Sequence, residues 1–157
     1  MSDDLLRLAG DLVPSGASRP RDVNLRRALS CAYYAMFHTV AQVAADTLIG
    51  SASADRTDRA WAQAYWSLNH RQGAERCEAI NKKNATLGFP SAIVTFARQF
   101  PPAMKDRHAA DYDPFFKPRK GTVLASINAA EAAIIALKKA DLRHRRAFAA
   151  FVLFGQR

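Results

Sequence analysis

The sequence predicts an all-α protein, and three observations predict it. The stretch from Leu25 to Leu48 runs without Gly or Pro and carries apolar side chains at helical spacing on more than one face. The later segments repeat apolar residues at intervals of three and four, and no run alternates convincingly with the period of a strand. In the first stretch one apolar set is Leu25, Leu29, Ala32, Met36, Val40 and Val43, and another is Tyr34, Phe37, Ala41, Ala44 and Leu48. A helix with so thin a polar face is a central one, wrapped by the others. Its polar exceptions are informative, because a buried polar group needs a partner or a task. Tyr34 and His38 are four apart and share a face, while Ser30 and Tyr33 lie on neighbouring ones.

The other elements follow in order. Leu5, Leu6, Leu8, Ala9, Leu12 and Val13 behind Ser2-Asp3-Asp4 predict a short amphipathic helix with an N-terminal cap. A Pro- and Gly-containing break covers 14–20, and Asp22 or Asn24 is placed to cap the central helix. Gly50 to Thr57 reads as a mobile loop. Trp61, Ala64, Tyr65 and Leu68 give one helical segment, and Ala74, Cys77 and Ile80 give a second, from His70 to about Lys82. Asn81 to Gly88 reads as a loop. Pro90 suits a first helical turn, and Ile93, Val94, Phe96, Ala97 and Phe100 form a stripe that Pro101-Pro102 is expected to kink or break. Helix resumes from Met104 to about Asp111, and Asp113-Pro114 stops it. After the basic loop 115–121, Val123, Ile127, Ala130, Ile134 and Leu137 face inward from a long helix. The apolar tail Ala147–Phe154 is expected to pack back on the bundle, or to serve a dimer.

The 157 residues are read as one domain, long enough to bury most of the unfolded surface. With 49% hydrophobic and 24% charged residues the chain is a packed globule rather than a disordered one. Its 23 Lys and Arg against 14 Asp and Glu leave a net charge of +9, which favours polyanions such as RNA as partners; a merely basic surface is the alternative. Cys31 and Cys77 lack metal-ligand spacing and suit a reducing compartment, so no metal or cofactor is expected. The acidic start lacks the pattern of a signal peptide, and no apolar run approaches the ~18 residues of a membrane span. A cytoplasmic protein away from membranes is the expectation.

Two motifs now combine. Ser30-Cys-Ala-Tyr-Tyr-Ala-Met-Phe-His38 is followed about 70 residues later by Arg107-His-Ala-Ala-Asp-Tyr-Asp-Pro114 and a final long helix. This order resembles the HEPN superfamily over nearly the whole chain, in particular a bacterial branch with S-x-x-Tyr-Tyr-Ala-Met-Phe-His and Arg-x-x-Ala-Asp-Tyr motifs. The resemblance implies a bundle of four to five helices with short peripheral ones, and a homodimer. In active relatives two Arg-x(4–6)-His motifs share a cleft that cleaves RNA without a metal ion. Many relatives are toxins paired with a nucleotidyltransferase antitoxin, some act in phage defence or RNA processing, and others only bind nucleotides.

Metal-independent RNA cleavage needs a base for the ribose 2′-hydroxyl, a cation for the crowded phosphate and an acid for the leaving oxygen. Arg107 fits the cation, since a guanidinium holds phosphate oxygens bidentately. Tyr112 stands at the fifth position after Arg107, where the family's shortest spacing has His, and no Arg-x(4–6)-His occurs anywhere in the chain. A phenol with a pKa near 10 is a poor base. His108 is the motif's only imidazole but points about 100° from Arg107 on a helix, so His38 is the other candidate. The catalytic candidates are therefore Arg107, His108 and Tyr112, and the RNA- or nucleotide-binding candidates are Arg107, Asp111, Tyr34 and His38.

Each has a plainer reading. Arg107 and Asp111, four apart, also suit a simple helix-end ion pair. Tyr33, Tyr34 and His38 suit a satisfied core. His70 and Arg71 read as surface, and Arg143 to Arg146 as a solvated face, or else as added phosphate contacts. Three functions remain open: a HEPN-type RNA-directed protein acting as ribonuclease toxin or defence effector; a non-catalytic RNA- or nucleotide-binding module or antitoxin partner; and a helical scaffold whose charge aids solubility.

Overall fold

The structure, a computed structural model, describes residues 1–14, 16 and 19–154. Ser15, Ala17 and Ser18 of the expected break lie outside the described residues. Within them the chain is all-α, with no strand. Its helices are α1 (Ser2–Leu12), α2 (Asp22–Leu48), α3 (Asp58–Trp66), α4 (His70–Leu87), α5 (Ser91–Tyr112), α6 (Lys120–Lys139) and α7 (Leu142–Leu153). Helix α2 packs against α1, α3, α5, α6 and α7, and α4 closes the bundle against α5 and α7. Ala28, Tyr33, Ala35, Met36, Ala41, Ala44 and Ala45 of α2 are fully buried, as a helix with little polar surface requires. One core cluster joins Ala28, Tyr33, Ala35, Met36 and Ala41 to Ile93, Phe96, Phe100, Val123, Ile134, Leu137 and Phe148. The C-terminal tail packs back through Phe148, Ala149 and Val152 of α7.

Four local readings need correction. Neither Ser2 nor Asp22 nor Asn24 makes a side-chain cap: the N-caps of α1 and α2 are Met1 and Arg21, and the Ser2 hydroxyl is buried with no hydrogen-bond partner among the described residues. Pro90 likewise caps α5 rather than entering its first turn. Helix α4 continues through the expected loop to Leu87, with a single non-helical residue at Lys83, and ends on Gly88 at φ 69°. That left-handed cap is one glycine adopts without steric cost. Asn84 secures the exit by donating to the Phe89 carbonyl and accepting from the Phe89 amide, both at 3.0 Å.

The fourth correction concerns Pro101-Pro102, which lie inside a continuous α5. Proline at 101 removes the donor that the Ala97 carbonyl would receive in a regular helix. The Asn81 side-chain amide supplies a substitute, donating to that carbonyl at 3.0 Å. Ala97 is fully buried, whereas Arg98, whose carbonyl loses the Pro102 donor, is exposed to water. The helix therefore survives because its one buried orphan is satisfied from α4.

Helix α6 is long and apolar enough, by length and composition, to cross a membrane, with mean hydropathy 1.3. This departs from the expectation of no such run, because Ala, Ile and Leu outweigh the single charge at Glu131 between Gly121 and Leu137. Its Val123, Ile127, Ala130, Ala133, Ile134 and Leu137 are nevertheless core side chains.

The Asn81 bond predicts a double-mutant cycle. Asn81→Ala is expected to cost about 1 kcal/mol or more in urea unfolding, the scale of a hydrogen bond lost at a buried acceptor. In a Pro101→Ala background, where the backbone amide is restored, the same substitution should cost much less. Equal costs in both backgrounds would refute the compensation.

Candidate functional site

Three side chains spaced by four along α2 reach three different partners. The Ser30 hydroxyl donates to Asp111 Oδ1 at 2.5 Å, and the Tyr34 hydroxyl accepts from Arg107 Nη2 at 3.2 Å. His38 Nδ1 lies 2.6 Å from the Tyr65 hydroxyl. Arg107 and Asp111 are themselves four apart on α5, so two rows of equal spacing meet rung to rung. Ser30 thus belongs to the Tyr34 row and not to a separate face. Asp111 Oδ2 lies 3.7 Å from Arg107 Nε, so the helix-end ion pair exists and also orients the guanidinium.

Aromatic faces box the Arg107 cation. Its Cζ is 5.3 Å from the Tyr33 ring centroid and 5.2 Å from that of Tyr34, both within cation–π range. The side chain is only 12% exposed. Among the described residues, Tyr34 is the one hydrogen-bond acceptor of the guanidinium, and its buried Nε makes no hydrogen bond. A guanidinium carries five N–H donors, so most of this fork is unspent.

The sequence places His70 at the surface, whereas the structure brings it into this cluster. Its Nδ1 is 2.7 Å from the Tyr33 hydroxyl, and its ring lies 4.0 Å from Phe37. Asn69 caps α4 by accepting from the Arg71 and Gln72 amides, which sets His70 at the helix's first position. The signal available in the sequence was Asn69 itself, a strong capping residue one step before an imidazole. Arg71 does lie at the surface, paired with Glu75.

Burial, then the Arg107 cation, then His38 lower the His70 pKa below its ordinary value. Burial, with a smaller push from the N-terminal ammonium, does the same to His38. Burial raises the Tyr33 and Tyr65 hydroxyls. A buried neutral phenol has its O–H to give, and His70 Nδ1 is the acceptor in reach of Tyr33. With the Tyr33 O–H assigned as the donor, the His70 proton is placed on Nε2, the nitrogen not engaged by Tyr33.

The other expected residues lie apart from this box. His108 and Tyr112 are exposed and pair with each other, their ring centroids 5.0 Å apart, as residues one helical turn apart do. The cationic run of α7 divides. Arg146 Nε donates to the Thr47 carbonyl near the end of α2, whereas Arg143 is exposed beside Asp141. The 50–57 loop is tied down, with Arg56 donating to the Gly50 carbonyl at 2.9 Å and stacking over Trp61. Beside it His38, Gln42, Trp61, Tyr65 and Trp66 line an open groove of about 320 Å³.

Comparison with family models, curated proteins and solved structures finds no match to this chain.

Two measurements follow from the electrostatics. The ordinary imidazole value is 6.5, and both histidines hold protons more weakly when folded, so the unfolded chain binds more protons at mildly acidic pH. Their contribution to stability is complete above about pH 6.5 and falls as the pH drops below it. Urea midpoints should therefore decline from near pH 7 to near pH 5, and His70→Asn should flatten part of that decline. Separately, NMR titration of Arg107→Gln should show the His70 pKa moving up toward 6.5, since one named cause of its depression is removed. An unmoved pKa would mean that Arg107 does not act on the ring.

Proposed function

We propose that this chain is an RNA-directed helical protein of the HEPN type, a homodimer that holds an RNA or nucleotide phosphate through Arg107. One observation carries the reading: a sheltered guanidinium, oriented by Asp111 and walled by Tyr33 and Tyr34, with only one of its donors in a hydrogen bond among the described residues. A planar fork in a partly desolvated box is suited to bidentate contact with phosphate oxygens. The net charge of +9 would draw a polyanion to it. Tyr34 and His38 stand beside it on α2, and Asp111 acts by holding the fork rather than by touching ligand.

Binding is favoured over cleavage by the state of the nearby imidazoles. His70 Nδ1 is taken up by the Tyr33 phenol, His38 Nδ1 by Tyr65, and His108 is exposed away from the box. The ribonuclease reading, as a toxin or defence effector partnered by a nucleotidyltransferase antitoxin, has a specific observation on its side too. Two imidazoles kept neutral near pH 7 lie in the same cluster as a cation.

A labelled single-stranded RNA, titrated between about 50 and about 200 mM salt, tests the proposal. Wild type should bind with affinity falling steeply as salt rises, and Arg107→Ala should weaken binding about tenfold or more, the scale of a charge-assisted contact. Arg107→Lys, which keeps the charge and loses the fork, should fall between them. Cleavage that persists in EDTA and disappears in Arg107→Ala would establish the ribonuclease instead. Binding indifferent to Arg107 would overturn the site, and no binding at all would leave the helical scaffold.

A further inference from the structure

The seven residues between α5 and α6 carry a second set of chemistry that the Arg107 box does not use. Phe115 is 86% exposed, the most exposed of the large hydrophobic side chains among the described residues, and Tyr112 is 67% exposed. An aromatic ring so placed forgoes the large burial that rings ordinarily gain in a core. Its neighbour Phe116 takes the opposite course and packs against the core. The fold therefore has room for one ring of the pair and holds the other outward.

The segment is built rigidly. Arg26 of α2 donates Nη1 to the carbonyls of Ala110 at 3.0 Å and Asp113 at 2.8 Å, and Nη2 to the carbonyl of Phe116. Its guanidinium also lies over the Phe116 ring, 5.7 Å from the centroid. Asp113 Oδ1 accepts from the Phe115 amide at 2.8 Å, a turn closed by its own side chain. A loop held by this many bonds presents Phe115 with little ordering left to do on binding.

Charge completes the pattern. Lys117 and Arg119 form a ridge with an open groove on each side, since both residues line a groove of about 430 Å³ toward Arg19 and another of about 350 Å³ toward Thr122. Among the described residues neither Lys117 nor Arg119 makes an ion pair. Each groove also holds one acid: Asp22 in the larger is already paired with Arg26, and Asp106 in the smaller has its pKa held above the ordinary carboxylate value, chiefly by burial.

We propose that the 112–119 segment is a platform for single-stranded RNA, on which a base stacks on Phe115 while the adjoining phosphates lie along Lys117 and Arg119. The Tyr112–His108 pair, three residues earlier in the chain, offers a further exposed aromatic face. Stacking rings interleaved with cations are what an unpaired strand requires, because every base has a π face and a duplex hides it. An acidic peptide would satisfy Lys117 and Arg119 but leave the Phe115 ring without a function. The inference rests on the RNA-directed reading above and adds where the strand lies beyond Arg107.

The test measures fluorescence anisotropy of a labelled uridine oligomer and of a duplex RNA with wild type, Phe115→Ala, Phe115→Trp, Lys117→Gln/Arg119→Gln and Arg107→Ala. Phe115→Ala should lose about tenfold or more in single-strand affinity, duplex binding should not change, and Phe115→Trp should restore the loss. Lys117→Gln/Arg119→Gln should lower the slope of log affinity against log salt by about 1.4, at about 0.7 for each phosphate contact removed. Phe115 lies at the surface, so the circular dichroism of its variants should match wild type. Single-strand binding that needs Arg107 but ignores Phe115 overturns the platform and leaves the Arg107 site standing. Binding that needs Phe115 but ignores Arg107 does the reverse, and no RNA binding by wild type ends both. A Phe115→Ala protein whose sedimentation changes while its RNA affinity does not would mark this face as an interface between protein chains, which also overturns the platform.

Discussion

Helix α2 has almost no face to give to water, and the rest of the molecule is arranged to answer that constraint. Five other helices lie against it, and each of its buried polar atoms is matched at short range. Thr39 and Thr47 return their hydroxyls to the carbonyls of Ala35 and Val43 one turn back. Ser30, Tyr33, Tyr34 and His38 take partners from α5, α4 and α3 instead: Ser30 gives its hydroxyl to a carboxylate, a stronger acceptor than a carbonyl, and the three ring side chains carry their polar atoms away from their own backbone. The candidate site is the sum of those partnerships. A buried polar row on a central helix calls in a carboxylate, a guanidinium, an imidazole and a phenol to satisfy it, and the guanidinium arrives with donors to spare.

The arginines show why net charge alone says little about a surface. Arg26 is used up on carbonyls at the end of α5 and in the following loop, where the helix dipole is negative and orphan acceptors gather. Arg146 does the same near the end of α2. Arg56 binds the 50–57 loop to Asp46 and Gly50. These three cations are structural. Arg107 is different: among the described residues it makes one hydrogen bond and one ion pair, to Asp111, and the rest of its fork is unspent. Lys117 and Arg119 belong to the cations that make no ion pair among the described residues, and they share two open grooves.

The site and the ridge are joined through the C-terminal end of α5. Asp111 and Arg107 face α2, His108 and Tyr112 face outward, and Arg26 anchors the turn that follows. One helical turn thus supplies both the sheltered cation and the first ring of the exposed aromatic face. The separation follows from the 100° step between neighbouring helical residues, which sends Arg107 and His108 to different surroundings although they are adjacent in the chain.

By itself the sequence determined the helical class, the central place of α2, the inward face of α6, and the spacing that lets Arg107 pair with Asp111. All of these are periodicities or contacts within one helix, and a repeat of three to four residues encodes them directly. Tertiary structure alone decided the rest. Asn81, from 16 residues away in the chain, satisfies the one buried carbonyl that the prolines of α5 leave without a donor. His70 leaves the surface because a phenol 37 residues earlier accepts its company. Phe116 turns inward and Phe115 outward because Arg26, about 90 residues before them, fastens the turn between them and α5. In each case the deciding partner lies across the bundle, and periodicity records which face of a helix is buried, not which side chain will be waiting there.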